Sequence, residues 1–198
     1  MTEYDERELI ERIGVLGRAG KAAFAAACAE RLLPLYRRYV DAAGVGAPEE
    51  LAGIVEQVWE VLGGADRDLT DARQVAVDLV PDDDAPGEWV LEGAYAQNAA
   101  AAVAYAVGAW LSDDAQQAVW AARQVFDAAE YAARPPARGL VIREAGADDP
   151  TLSSAVVQAA VRTIGDDLSE IERFGTSRLN DLRQRLRRES AEWLALFP

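Results

Sequence analysis

Gly93-Ala94-Tyr95-Ala96-Gln97-Asn98-Ala99-Ala100-Ala101-Ala102-Val103-Ala104-Tyr105-Ala106-Val107-Gly108-Ala109-Trp110-Leu111 is the stretch on which the fold turns. It carries no charge over nineteen residues and is dominated by Ala, the strongest helix former. The length alone would suit a membrane span. However, Ala contributes little to insertion, Gln97 and Asn98 are polar, and Glu92 stands beside them. A helix buried in protein is therefore expected, with no membrane partner. The four alanines at 99–102 mark where backbones should approach most closely, because small side chains admit neighbouring helices at short range.

Helical periodicity continues outward in both directions, punctuated by Gly and Pro. Upstream, Thr2 with Asp5 resembles a capping box, followed by Leu9, Ile13 and Leu16 on one face. A second helix is predicted over 21–43, with a stripe at Phe24, Cys28, Leu32, Leu35 and Tyr39, and Pro34 inside it. Pro48 suits a first helical turn, and Leu51, Ile54, Val55, Val58 and Leu62 form a third stripe stopped by Gly63-Gly64. A short fourth helix is predicted over 68–79, before the loop Pro81-Asp82-Asp83-Asp84-Ala85-Pro86-Gly87.

Downstream of the Ala-rich run, Ser112 is expected to cap a helix with Val119, Ala122, Phe126, Ala129 and Ala133 on its inner face. Residues 135–149 read as irregular, although 139–142 could pack as an extended piece. Asp149-Pro150 is expected to open the last helical region. Its apolar spacing passes through Gly175 without a change of phase, which fits one long helix kinked there or a hairpin. No β-alternation of useful length is present. The expected architecture is all-α: one domain over 1–198, with seven or eight helices around the Ala-rich one.

The 198 residues include 34 acidic and 20 basic side chains, a net charge of −14, 51% hydrophobic residues, no His and one Cys. That apolar fraction can bury a full core. Without His there is no imidazole base, no Ser-His or Cys-His pair and no His-ligated metal. Cys28 alone can form neither an internal disulfide nor a Cys-cluster zinc site. It lies on the core stripe, where a thiol behaves as a small hydrophobe. The acidic start (Met1-Thr2-Glu3-Tyr4-Asp5-Glu6) is unlike a signal peptide. Together with 19 Arg against one Lys, this leads to the expectation of a cytoplasmic bacterial protein.

Cys28-Ala29-Glu30-Arg31-Leu32-Leu33-Pro34-Leu35-Tyr36, Val58-Trp59-Glu60, Gly93-Ala94-Tyr95 and the Arg-rich stretch 179–188 occur in an order that resembles the YjaG-like family of bacterial proteins. The resemblance implies a helical domain of unknown function and carries no activity, substrate or catalytic residue with it. Asn98 stands where it leads one to expect an Asp in the central helix.

Four acidic pairs or runs, Asp82-Asp83-Asp84, Asp113-Asp114, Asp148-Asp149 and Asp166-Asp167, could gather oxygens for a hard cation. Asp113-Asp114 and Asp148-Asp149 precede predicted helices, where carboxylates complement the macrodipole, and the triple-Asp loop lacks alternating calcium-loop spacing. Neither a metal site nor a cofactor is expected. No glycine-rich phosphate cradle is present. Glu30, Arg31, Trp59 and Glu60 form the most chemically capable group. Arg31 could pair bidentately with a carboxylate such as Glu60, and Trp59 offers a face for stacking. With Tyr36, Tyr95 and Asn98 these residues could floor a small pocket, or they could tie helices together.

Charge is unevenly distributed. Residues 44–100 hold thirteen acidic and two basic side chains, whereas 1–43 and 151–198 each balance. Nucleic acid is disfavoured as a partner because phosphate contacts need Lys and Arg. The leading expectation is a non-enzymatic protein-binding module whose acidic face, with Asp82, Asp83 and Asp84, meets a basic protein. One concrete form is an immunity-type antagonist of a basic toxin. The alternative is a small-molecule or metal-dependent enzyme with its site near Glu30, Arg31, Glu60 and Asn98.

Overall fold

The computed structural model describes residues 3–82, 90–134 and 150–198. Among them are eight α-helices: α1 (Glu6–Gly14), α2 (Arg18–Ala43), α3 (Pro48–Leu62), α4 (Thr70–Asp78), α5 (Glu92–Ser112), α6 (Ala115–Ala133), α7 (Ala155–Phe174) and α8 (Leu179–Leu194). A 3₁₀ turn at Gly175–Arg178 joins the last two, and no strand occurs among the described residues. Thr2, Asp83, Asp84, Asp148, Asp149 and the 139–142 segment lie outside the described residues.

At three helices the N-cap differs from the sequence reading, each because a nearer side chain satisfies the free N–H groups of the first turn. Asp5 is itself the N-cap of α1, its Oδ1 accepting from the N–H groups of Arg7 at 2.8 Å and Glu8 at 3.3 Å. Asp114, not Ser112, caps α6 and accepts from the Gln116 N–H at 2.9 Å. Ser112 instead ends α5 and donates to the Gly108 carbonyl at 2.8 Å. α7 begins five residues beyond Pro150, with Ser154 as its N-cap.

α5 is buried along its length, as the Ala-rich run predicts, but it shares the centre with α2. These two helices pack along each other, with α6 against both and α3, α4, α7 and α8 around them. The reading of α2 as a single stripe is too narrow: residues 20–29 are buried without interruption. Ala22, Ala23, Ala25, Ala26, Ala27 and Ala29 make this possible, since a helix clad in methyl groups can be enclosed on every side. Lys21, within that buried run, donates from Nζ to the Asp113 carbonyl and to its Oδ1, both at 3.0 Å. A cation is thus set against the C-terminus of α5, where the helix dipole favours it.

Of the two readings open at Gly175, one kinked helix or a hairpin, the structure shows the hairpin. Gly175 has φ 57° and ψ −138°, a conformation a side chain would strain. A straight helix would separate residues 167 and 185 by about 27 Å. Instead, Arg185 of α8 lies 2.8 Å from Asp167 of α7, so the chain folds back at the turn.

Candidate functional site

Arg31 projects from α2 into the angle between α7 and α8. Its Nη2 donates to Asp167 Oδ2 at 2.9 Å, with both side chains almost wholly buried. The other Asp167 oxygen accepts from Arg185 at 2.8 Å. Arg185 also reaches Glu170 at 2.8 Å and Glu189 at 3.3 Å. Arg31 stands 3.5 Å from Glu189, and its guanidinium lies 5.8 Å from the centre of the Trp193 ring. Each buried charge therefore meets an opposite one, as a low-dielectric interior demands.

Glu30, one residue earlier, faces the outer side of this cluster. Arg183 contacts it at 3.0 Å and Arg187 at 2.9 Å. Both arginines also reach Glu56 of α3, and the Arg183 guanidinium sits 5.5 Å from the centre of the Trp59 ring. Arg183 therefore occupies the face that Trp59 offers for stacking. The geometry also corrects the pairing considered for Arg31 and Glu60: Glu60 pairs with Arg67 at 2.9 Å, beyond the end of α3. Arg31 finds Asp167 instead because α7 and α8 close over that side of α2.

The remaining candidates point elsewhere. Tyr36 is buried and donates to the Leu79 carbonyl at 3.1 Å. Tyr95 is fully buried against the rings of Tyr131 and Phe197, each at 5.4 Å, and burial pushes its phenol up to about 12. Asn98 donates to the Ala94 carbonyl of its own helix at 2.9 Å. Glu30 and Trp59 thus share Arg183 at the α2–α3–α8 junction, whereas Arg31 turns toward α7 and α8 and Tyr36, Glu60, Tyr95 and Asn98 lie elsewhere. Cys28 is buried, and the loss of water pushes its thiol well above its ordinary value, as suits an inert core residue. Among the described residues no three acidic or thiol side chains gather closely enough to hold a metal ion.

Sequence reasoning missed Asp167 as the hub. Its signal was present: Ile164, Asp167, Leu168 and Ile171 share one helical face, whereas Asp166 is exposed. The Arg-rich stretch 179–188 pairs with acids through Arg183, Arg185 and Arg187.

The Arg183 guanidinium holds the Glu56 carboxyl below its ordinary range. A carboxylate lowered in the folded state contributes stability above its unfolded value, near pH 4.3, that is lost as pH falls through the folded value. Solvent screening limits this half-exposed pair to about 1 kcal/mol or less. In chemical denaturation, Glu56→Gln should fall below the wild type by up to that amount at pH 7 and converge with it in acid.

The acidic segment is less bare than its composition implies. Arg37 pairs with Glu49 at 2.9 Å, Arg38 with Glu92 at 3.3 Å, and Arg187 with Glu56 at 3.5 Å. What remains is a smaller surface on α4 and the loop before it. There Asp66, Asp68, Asp71 and Asp78 are exposed, with Arg67 and Arg73 as the cations among them. No helix among the described residues is long and apolar enough to cross a membrane.

These features define an all-α bundle whose α7 and α8 are tied to α2 by buried and half-buried ion pairs. The chain belongs to the DUF416 family, described as "Protein of unknown function (DUF416)", which matches residues 8–191. The fold is similar to the crystal structure of a DUF416 family protein from Shewanella baltica OS155. The two share 20% identity with a TM-score of 0.75, over 89% of this chain and 92% of that one. No curated protein matches the chain.

Proposed function

We propose that the protein is a non-enzymatic binding module that docks a basic protein partner through the acidic surface of α4 and its preceding loop. The observation that supports this is what persists once the ion pairs are assigned. Asp66, Asp71 and Asp78 face solvent, Arg67 is engaged with Glu60, and Val77 is 44% exposed among them. An exposed apolar side chain on an acidic segment suits a docking surface, with charge guiding approach and the apolar contact holding it. In sequence the same segment continues into Asp83 and Asp84. The enzymatic alternative has less support. Glu30, Arg31 and Glu60 are engaged in ion pairs, and Asn98 is bonded to its own helix. A more specific form of the proposal is an antagonist that covers the positively charged site of a basic toxin.

Capture from host lysate tests the surface. The triple variant Asp66→Asn/Asp71→Asn/Asp78→Asn should lose a basic partner that the wild type retains at low salt. A control carrying Asp166→Asn, Asp181→Asn and Glu192→Gln, all exposed elsewhere, should retain it. Equal capture by both triples and the wild type would reduce the acidic surface to a solubilising role.

A further inference from the structure

An open cleft of about 560 Å³ lies between α2, the start of α3 and the end of α8, away from α4. Its volume falls in the range of small-molecule sites. The floor is apolar: Leu33, Pro34, Pro48, Ala52 and Leu194. The rim carries two charges of each sign, Glu30, Arg37, Arg38 and Asp41.

Those four charges are not equally available. Glu30 is held by Arg183 and Arg187. Arg38 is held by Glu92 at 3.3 Å, and it also donates to the carbonyl oxygens of Phe197 and Pro198. Arg37 has only Glu49, and with their side chains 56% and 79% exposed the pair is of the weak, easily exchanged kind. Asp41 is exposed and forms no ion pair among the described residues. Arg37 and Asp41 stand four residues apart on one face of α2, within mutual reach of a single small ligand.

From this set we infer that the cleft binds a small amphipathic zwitterion, an apolar free amino acid. Arg37 takes its carboxylate, Asp41 takes its ammonium group, and the floor takes its side chain. The match is one of complementarity: one available cation, one available anion and an apolar surface between two helices. A ligand carrying only one of the two charges engages Arg37 or Asp41 but not both, and gains one charged contact instead of two.

Titration calorimetry on the full chain tests the assignment, with leucine, methionine and phenylalanine as probes. At least one should bind saturably with a Kd below about 10 mM, and glycine, 4-methylpentanoate and 3-methylbutylamine should bind at least about tenfold more weakly. Arg37→Ala and Asp41→Ala should each weaken the best probe by about tenfold or more, with the circular dichroism spectrum unchanged. The absence of saturable binding by all three probes would overturn the inference. So would comparators that bind equally well, or two variants that bind like the wild type.

Discussion

Asp167→Ala should lower the unfolding free energy by about 3–5 kcal/mol, among the largest losses any single substitution in this chain can produce. Asp167 is 1% exposed and neutralises Arg31 at 2.9 Å and Arg185 at 2.8 Å. Its removal leaves Arg31, itself buried, with Glu189 at 3.5 Å as its remaining ion-pair partner. The loss comes from stranding a charge in a low-dielectric site, not from the intrinsic worth of the pair. Denaturant titration should show a lower midpoint at an unchanged slope, the signature of lost stability without a change in the surface exposed on unfolding. A loss below about 1 kcal/mol would mean that water reaches the cluster and that α8 is not fastened there.

Trp59→Ala should cost a similar amount, about 3–5 kcal/mol, by a different route. The indole is 6% exposed on α3, and its removal leaves a void too large for the neighbouring side chains to fill. It also takes away the ring beneath the Arg183 guanidinium, so the contacts of Arg183 with Glu30 and Glu56 lose their support. Trp120 provides the comparison: it is 40% exposed, and Trp120→Ala should cost markedly less. Unchanged stability in Trp59→Ala would return that residue to the list of binding candidates.

The helices were legible because apolar residues recur with the helical period, and Gly63-Gly64 and Pro48 mark boundaries that the structure keeps. The fully enclosed first half of α2 was harder to read. Alanine is compatible with both buried and exposed faces, so a run of it blurs the stripe that Phe24, Cys28 and Leu32 suggest. The charged cluster was only half legible. Arg31 and Asp167 are 136 residues apart, and no local spacing records which arginine meets which carboxylate across that distance. The same blindness exaggerated the acidic face: Glu49, Glu56 and Glu92 look uncompensated within 44–100 because their partners, Arg37, Arg183 and Arg38, lie outside it. At Gly175 the apolar phase continued through the turn, so periodicity alone could not distinguish a bent helix from a reversal.

The proposed recruitment of a basic protein rests on the charge of the acidic surface on α4. Its most direct test is the association rate of the captured partner, measured as ionic strength rises from 0.1 to 1 M. The screening length shrinks from about 10 Å to about 3 Å over that range. The wild type should therefore associate fast and slow steeply with salt, whereas Asp66→Asn/Asp71→Asn/Asp78→Asn should start slower and show a shallower dependence. A rate indifferent to salt, or identical slopes for the wild type and the triple variant, would contradict the proposal.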